Sequence, residues 1–179
     1  MTHAAQRTSL TRASSPADAG SFGARTSTPP AAVRGAFASW VTAVAAGAFE
    51  TVLAVAEMVG DGSGSTAEIA LGLAVRLPVF TAALLIASQM RRGRHWARMT
   101  LALGLGVAGT ASMVVQPIQA LAGGRSLTAA FGEAGAMDLA FGASRALHVA
   151  AVLGAVALMF RPAANAYFRA RRDEARRGR

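Results

Sequence analysis

Between two long apolar runs the chain places Met90–Met99, MRRGRHWARM, with Arg91, Arg92, Arg94, Trp96 and Arg98 in ten residues. This stretch restricts the fold more than any other. The runs on either side are too long and too apolar for the surface of a small soluble domain. Basic residues beside a span are retained on the cytoplasmic side of a bilayer, so the arginines orient whatever flanks them. The expectation is an all-α transmembrane four-helix bundle with this loop, the N-terminus and the C-terminus in the cytoplasm.

Four runs carry that expectation. The first covers about residues 36–59, which at the α-helical rise span roughly 35 Å, enough to cross the hydrocarbon core with some tilt. Trp40 lies near its inner end, where an indole suits the headgroup level. The second covers 66–90. It opens with Ser65-Thr-Ala-Glu68, a capping-box pattern that marks a helix start, and it contains Pro78, which predicts a kink. The third covers 96–121. Its LGLGVAG matches the spacing of a dinucleotide-binding loop, but that loop needs a preceding strand and an acidic residue about twenty positions on. Within a continuous apolar run the glycines predict close helix contacts instead. The fourth run covers 138–160 and ends at Arg161-Pro162.

Residues 1–35 are rich in Ser, Thr, Ala, Gly and Pro. They are expected to be a disordered basic cytoplasmic tail, because too little apolar surface is present to offset the entropy of ordering. Residues 162–179 form a second basic tail in which Tyr167 and Phe168 can anchor at the interface. Its arginines suit anionic headgroups. Of the 18 arginines, 15 lie in the two tails (Arg161 included with the second) and the 90–99 loop, one (Arg125) lies in the opposite loops, and two lie within the runs.

The net charge is +9, but its distribution argues against nucleic acid. A nucleic-acid reader concentrates charge on one folded face, whereas here it brackets apolar runs. Cysteine is absent, which excludes disulfides and thiolate metal sites. His3, His95 and His148 are too scattered for a metal site. No nucleophile elbow or phosphate loop is present. No enzyme, cofactor or metal is expected. The expected partners are the lipid bilayer, anionic headgroups at the basic tail, and a second copy or another membrane protein.

The candidate site is a set of polar residues inside the runs: Glu50, Glu57, Arg76, Gln116, Arg145 and His148. Counting from the outer ends puts Glu50, Arg76 and His148 roughly 15 Å deep and Arg145 roughly 10 Å deep. An arginine at mid-membrane costs about 2.5–3.5 kcal/mol on insertion scales, so nearby acids and bases should pair. The expected pairs are Glu50 with Arg76 and Glu57 with Arg145, with His148 beside the latter. Balanced pairs favour a structural role. The alternative is a small exporter or proton-coupled carrier that uses the membrane carboxylate.

GRHWAR at 93–98 and PAANAYF at 162–168 resemble the helix junctions of small four-helix integral membrane proteins of high-GC Gram-positive bacteria, in which a GRxWAR loop follows the second helix and PxANxYF closes the last. The resemblance covers about residues 36–170 and implies the architecture without an activity. Glu50 is also similar to the membrane carboxylate of small multidrug exporters. Those bundles are otherwise largely uncharged, whereas Arg76 and Arg145 here can neutralise the acid.

Overall fold

The computed structural model describes residues 28–111, 115, 118, 119, 122 and 135–178. These residues are helical apart from short turns. The elements in order are α1 (Ala31–Gly60), α2 (Thr66–Arg91), α3 (His95–Thr100), a π-helical segment (Leu101–Gly109), α4 (Ala136–Met159) and α5 (Pro162–Arg177). Among the described residues, α1, α2 and α4 are each long and apolar enough to cross a membrane.

Local chemistry explains most of the boundaries. Helix α1 starts directly after Pro30, five residues before the expected start, so residues 31–35 belong to the helix and not to the tail. Asp61 and Ser63 close the next turn, with the Ser63 N–H donating to Asp61 Oδ1 at 2.9 Å. The α2 start carries the expected capping box. Glu68 N–H donates to Ser65 Oγ at 3.2 Å, and Ser65 N–H donates to Glu68 Oε2 at 2.9 Å. Helix α2 continues through Pro78 without interruption. The third run begins as α-helix at His95 and widens to π geometry over LALGLGVAG. Most of its remainder, including Gln116, lies outside the described residues, as does the loop over 123–134. Asp138 Oδ2 accepts from the Gly135 N–H at 3.0 Å at the start of α4. Pro162, in the first turn of α5, suits a helix start because its missing N–H would have no intrahelical partner.

The most extensive contact joins α1 and α4. On α1 the buried positions Val33, Ala36, Trp40, Ala43, Gly47 and Glu50 recur at alternating three- and four-residue intervals. That spacing keeps one narrow seam facing a neighbour. On α4, Ser144, Val152, Ala155 and Met159 form the matching seam. The two run antiparallel. A Cβ at Gly35 would lie 3.1 Å from Leu158, one at Gly154 3.9 Å from Ser39, and one at Gly47 3.4 Å from His148. Small residues at these crossings let the backbones approach. Gly106 does the same for the π-helical segment, where a Cβ would meet Val156 at 3.0 Å. Gly104 has open space around it, so only one of those two glycines serves a close contact.

The outward faces of α2 and α4 are largely apolar. Leu71, Val75, Leu77 and Leu85 on α2 and Leu139, Leu147 and Leu153 on α4 are exposed. A helix that hides few of its leucines inside the protein needs another apolar phase around it.

Candidate functional site

Helix α1 carries Glu50 on the buried seam one turn beyond Gly47. Helix α4 presents Ser144, Arg145 and His148 to that same level. The Ser144 hydroxyl donates to the Ala46 carbonyl at 3.1 Å in a buried bond that joins the two helices. Arg145 Nη2 lies 3.7 Å from Glu50 Oε2. The Glu50 side chain is 10% exposed and that of Arg145 49%. The separation exceeds hydrogen-bond length, so the pair is Coulombic. Glu50 Oε1 is buried without a hydrogen-bond partner.

This overturns the pairing expected from depth. Glu50 meets Arg145 and not Arg76. Glu57 is exposed and lies seven residues farther along α1, about 10 Å at the helical rise, beyond the reach of an arginine held at the level of Glu50. Arg76 has the right level and the wrong direction. Phe80 packs at Gly47, so antiparallel counting puts Arg76 opposite Thr51. Its guanidinium, however, lies beside Gly72 of its own helix and lines a cavity.

That cavity has a volume of about 310 Å³ and lies between α1, α2, α4 and the π-helical segment. Trp40, Arg76, Phe80, Leu105, Gly109 and His148 are among its walls. Two of its lining residues each carry a polar atom buried away from solvent with no hydrogen-bond partner. Trp40 Nε1 has no hydrogen-bond partner. His148 Nδ1 is likewise without a hydrogen-bond partner. An unmet buried donor costs about 1–3 kcal/mol, and π-helical insertions recur at functional sites. Trp40, expected at the headgroup level, is instead 2% exposed in the core. Its place on the three–four seam, beside Ala36 and Ala43, was the available signal. Glu50 is not among the walls of this cavity.

The arginine loop splits into two kinds of residue. Arg91, Arg92, Arg94 and Trp96 are exposed. Arg98 is buried at 7%. Its guanidinium lies 4.1 Å from the centre of the Phe160 ring and 5.1 Å from that of Phe168, a geometry in which a cation is drawn to the ring faces. It therefore fastens α3 to the end of α4 and to α5, a packing role that the sequence reading did not assign to it. Among the described residues, no group of three or more His, Cys, Asp or Glu could hold a metal. Comparison with protein-family models, curated proteins and solved structures yields no match to this chain.

Proposed function

We propose that this chain is a multi-pass protein of the cytoplasmic membrane, with both termini inside, and that it is not an enzyme. In this reading the third apolar run completes a four-helix bundle, and the intramembrane charges hold α1 to α4. One observation carries the structural assignment. Glu50, the acid most deeply placed in the core, faces an arginine across the α1–α4 seam. The open groove between the same two helices, edged by Ala45, Phe49, Ala140 and Ala143, is where a second copy or another membrane helix would seat. The test has two parts. Reporter fusions at the two termini should both report the cytoplasm. A charge-swapped Glu50→Arg/Arg145→Glu chain should regain part of the thermal stability lost by either single change. Opposite locations for the termini, or no recovery in the swap, would overturn the respective half.

The cavity favours a second reading, a small carrier or solute-binding protein. Trp40, Arg76 and His148 among its lining residues carry N–H groups that suit a small solute rich in acceptors, and its volume is at the lower end for ligand sites. In that case Arg76, His148 and Trp40 do the binding, in place of the carboxylate expected from the sequence. Trp40→Phe should then fold normally and lose solute binding or transport. An unaltered Trp40→Phe transport phenotype would remove this reading.

A further inference from the structure

A second pocket, of about 300 Å³, lies where the start of α1, the end of α2 and α5 converge, and it is lined by Pro29, Arg34, Arg91, Arg92, Tyr167 and Arg171. Four arginines from three separate parts of the chain line it. Like charges do not assemble without a cause, and two features force them together. Gly93 has φ +85°, and a Cβ on it would lie 2.7 Å from Arg171 Cγ and 3.3 Å from Tyr167 Cε1. Only glycine both tolerates that backbone and leaves room for α5 to lie this close. The Tyr167 hydroxyl then donates to the Arg91 carbonyl at 3.1 Å, while Phe168, 2% exposed, anchors α5 in the core.

The assembled charge is under-compensated. Among the described residues, one carboxylate reaches these arginines: Glu174, 3.2 Å from Arg171 Nη1. The Arg91 guanidinium stacks at 4.8 Å on the Phe37 ring, which leaves its N–H edge free to donate. Arg171 is engaged by Tyr167 and Glu174, whereas Arg34, Arg91 and Arg92 have no carboxylate partner among the described residues. The pocket thus offers guanidinium donors from the start of α1 and the end of α2 around one space. A single carboxylate answers one guanidinium. A tetrahedral phosphate, with more acceptor oxygens and up to two charges, answers several at once.

We propose that this pocket binds a phosphate group, presented by an anionic lipid headgroup or by a soluble phosphate compound. The lipid source rests on the cytoplasmic-membrane reading above; the soluble source does not. The full-length chain in detergent would be titrated in two arms, with phosphatidic acid followed by native mass spectrometry, and with inorganic pyrophosphate followed by calorimetry. Each arm compares the wild type with Arg34→Gln/Arg92→Gln and with Arg176→Gln/Arg177→Gln. Both variants remove the same charge, but only the first touches the pocket, and neither touches the Tyr167 bond or the Phe168 anchor. The pocket variant should lose roughly tenfold or more in affinity in whichever arm binds, and the control should lose little. Pocket-dependent binding of phosphatidic acid alone assigns a lipid headgroup; pocket-dependent binding of pyrophosphate assigns a soluble ligand. Equal losses in the two variants, or no binding in either arm, would overturn the proposal. Phosphate binding that survives while terminal reporters place this end outside would overturn the orientation alone.

Discussion

The Glu50–Arg145 pair should respond asymmetrically to loss of its two members. Two unit charges 3.7 Å apart attract by roughly 4.5 kcal/mol at an effective dielectric of about 20. Desolvation consumes much of that gain, so the pair adds little net stability while intact. The cost of breaking it depends on which charge is left behind. Arg145→Gln strands a carboxylate whose side chain is 10% exposed, and an abandoned buried charge costs about 3–5 kcal/mol. Glu50→Gln strands a guanidinium that is 49% exposed. That group can turn outward, so its loss is discounted to about 1 kcal/mol, as for exposed pairs. For a chain of this size the difference corresponds to a melting-temperature gap on the order of 10 °C. The double variant Glu50→Gln/Arg145→Gln leaves no buried charge at this seam and should melt near Glu50→Gln. Thermal unfolding of the four proteins in one detergent, followed by helical circular dichroism, gives the comparison. Equal losses for the two single variants, or a double variant whose loss is the sum of both, would refute the reasoning, because each requires the burial difference to be irrelevant.

Three further outcomes follow from local geometry. Ser65→Ala removes one half of the α2 capping box and should cost about 1 kcal/mol, with faster amide exchange at Glu68. Arg98→Lys keeps the charge but loses the flat group held against Phe160 and Phe168. It should weaken α5 docking by about 0.5–2 kcal/mol, read as earlier tryptic cleavage at Arg169 and Arg172. The third outcome concerns Asp61. The Ser63 hydroxyl and then the Ser63 N–H hold its carboxyl below the usual aspartate value. A depressed folded value means that the turn's contribution is present above the unfolded value and is lost as pH falls through the folded one. Ser63→Ala should therefore raise the Asp61 midpoint in an NMR titration, and an unchanged midpoint would show that the hydroxyl plays no part.

Part of the fold was legible residue by residue. Ser65 and Glu68 announced the α2 start because a capping box is complete within four residues. Pro162 announced the break after α4 because proline lacks the N–H that a helix interior needs. The polar cluster was legible as a set of residue types and depths, and Glu50, Arg145 and His148 do come together. Their partners were not legible. Depth counting treats each helix as a rod with a known end and says nothing about rotation about its axis. Arg76 shows the consequence: it sits at the level of the cluster, yet its guanidinium lies beside Gly72 of its own helix and not at Glu50.

Sequence alone determined that the apolar runs are helical, how long and apolar they are, and where the arginines gather, since these follow from composition and from contacts within a turn or two; it did not show that Pro162–Arg177 is also a helix. Only the tertiary structure decided that Glu50 meets Arg145, that Trp40 and Arg98 are buried, and that arginines from three distant stretches line one pocket. The reason is that α1 and α4 carry alanine and glycine on several faces. Such helices can pack in more than one rotation at similar cost, so the register is chosen by the sum of contacts across the seam, and no short stretch of sequence contains that sum.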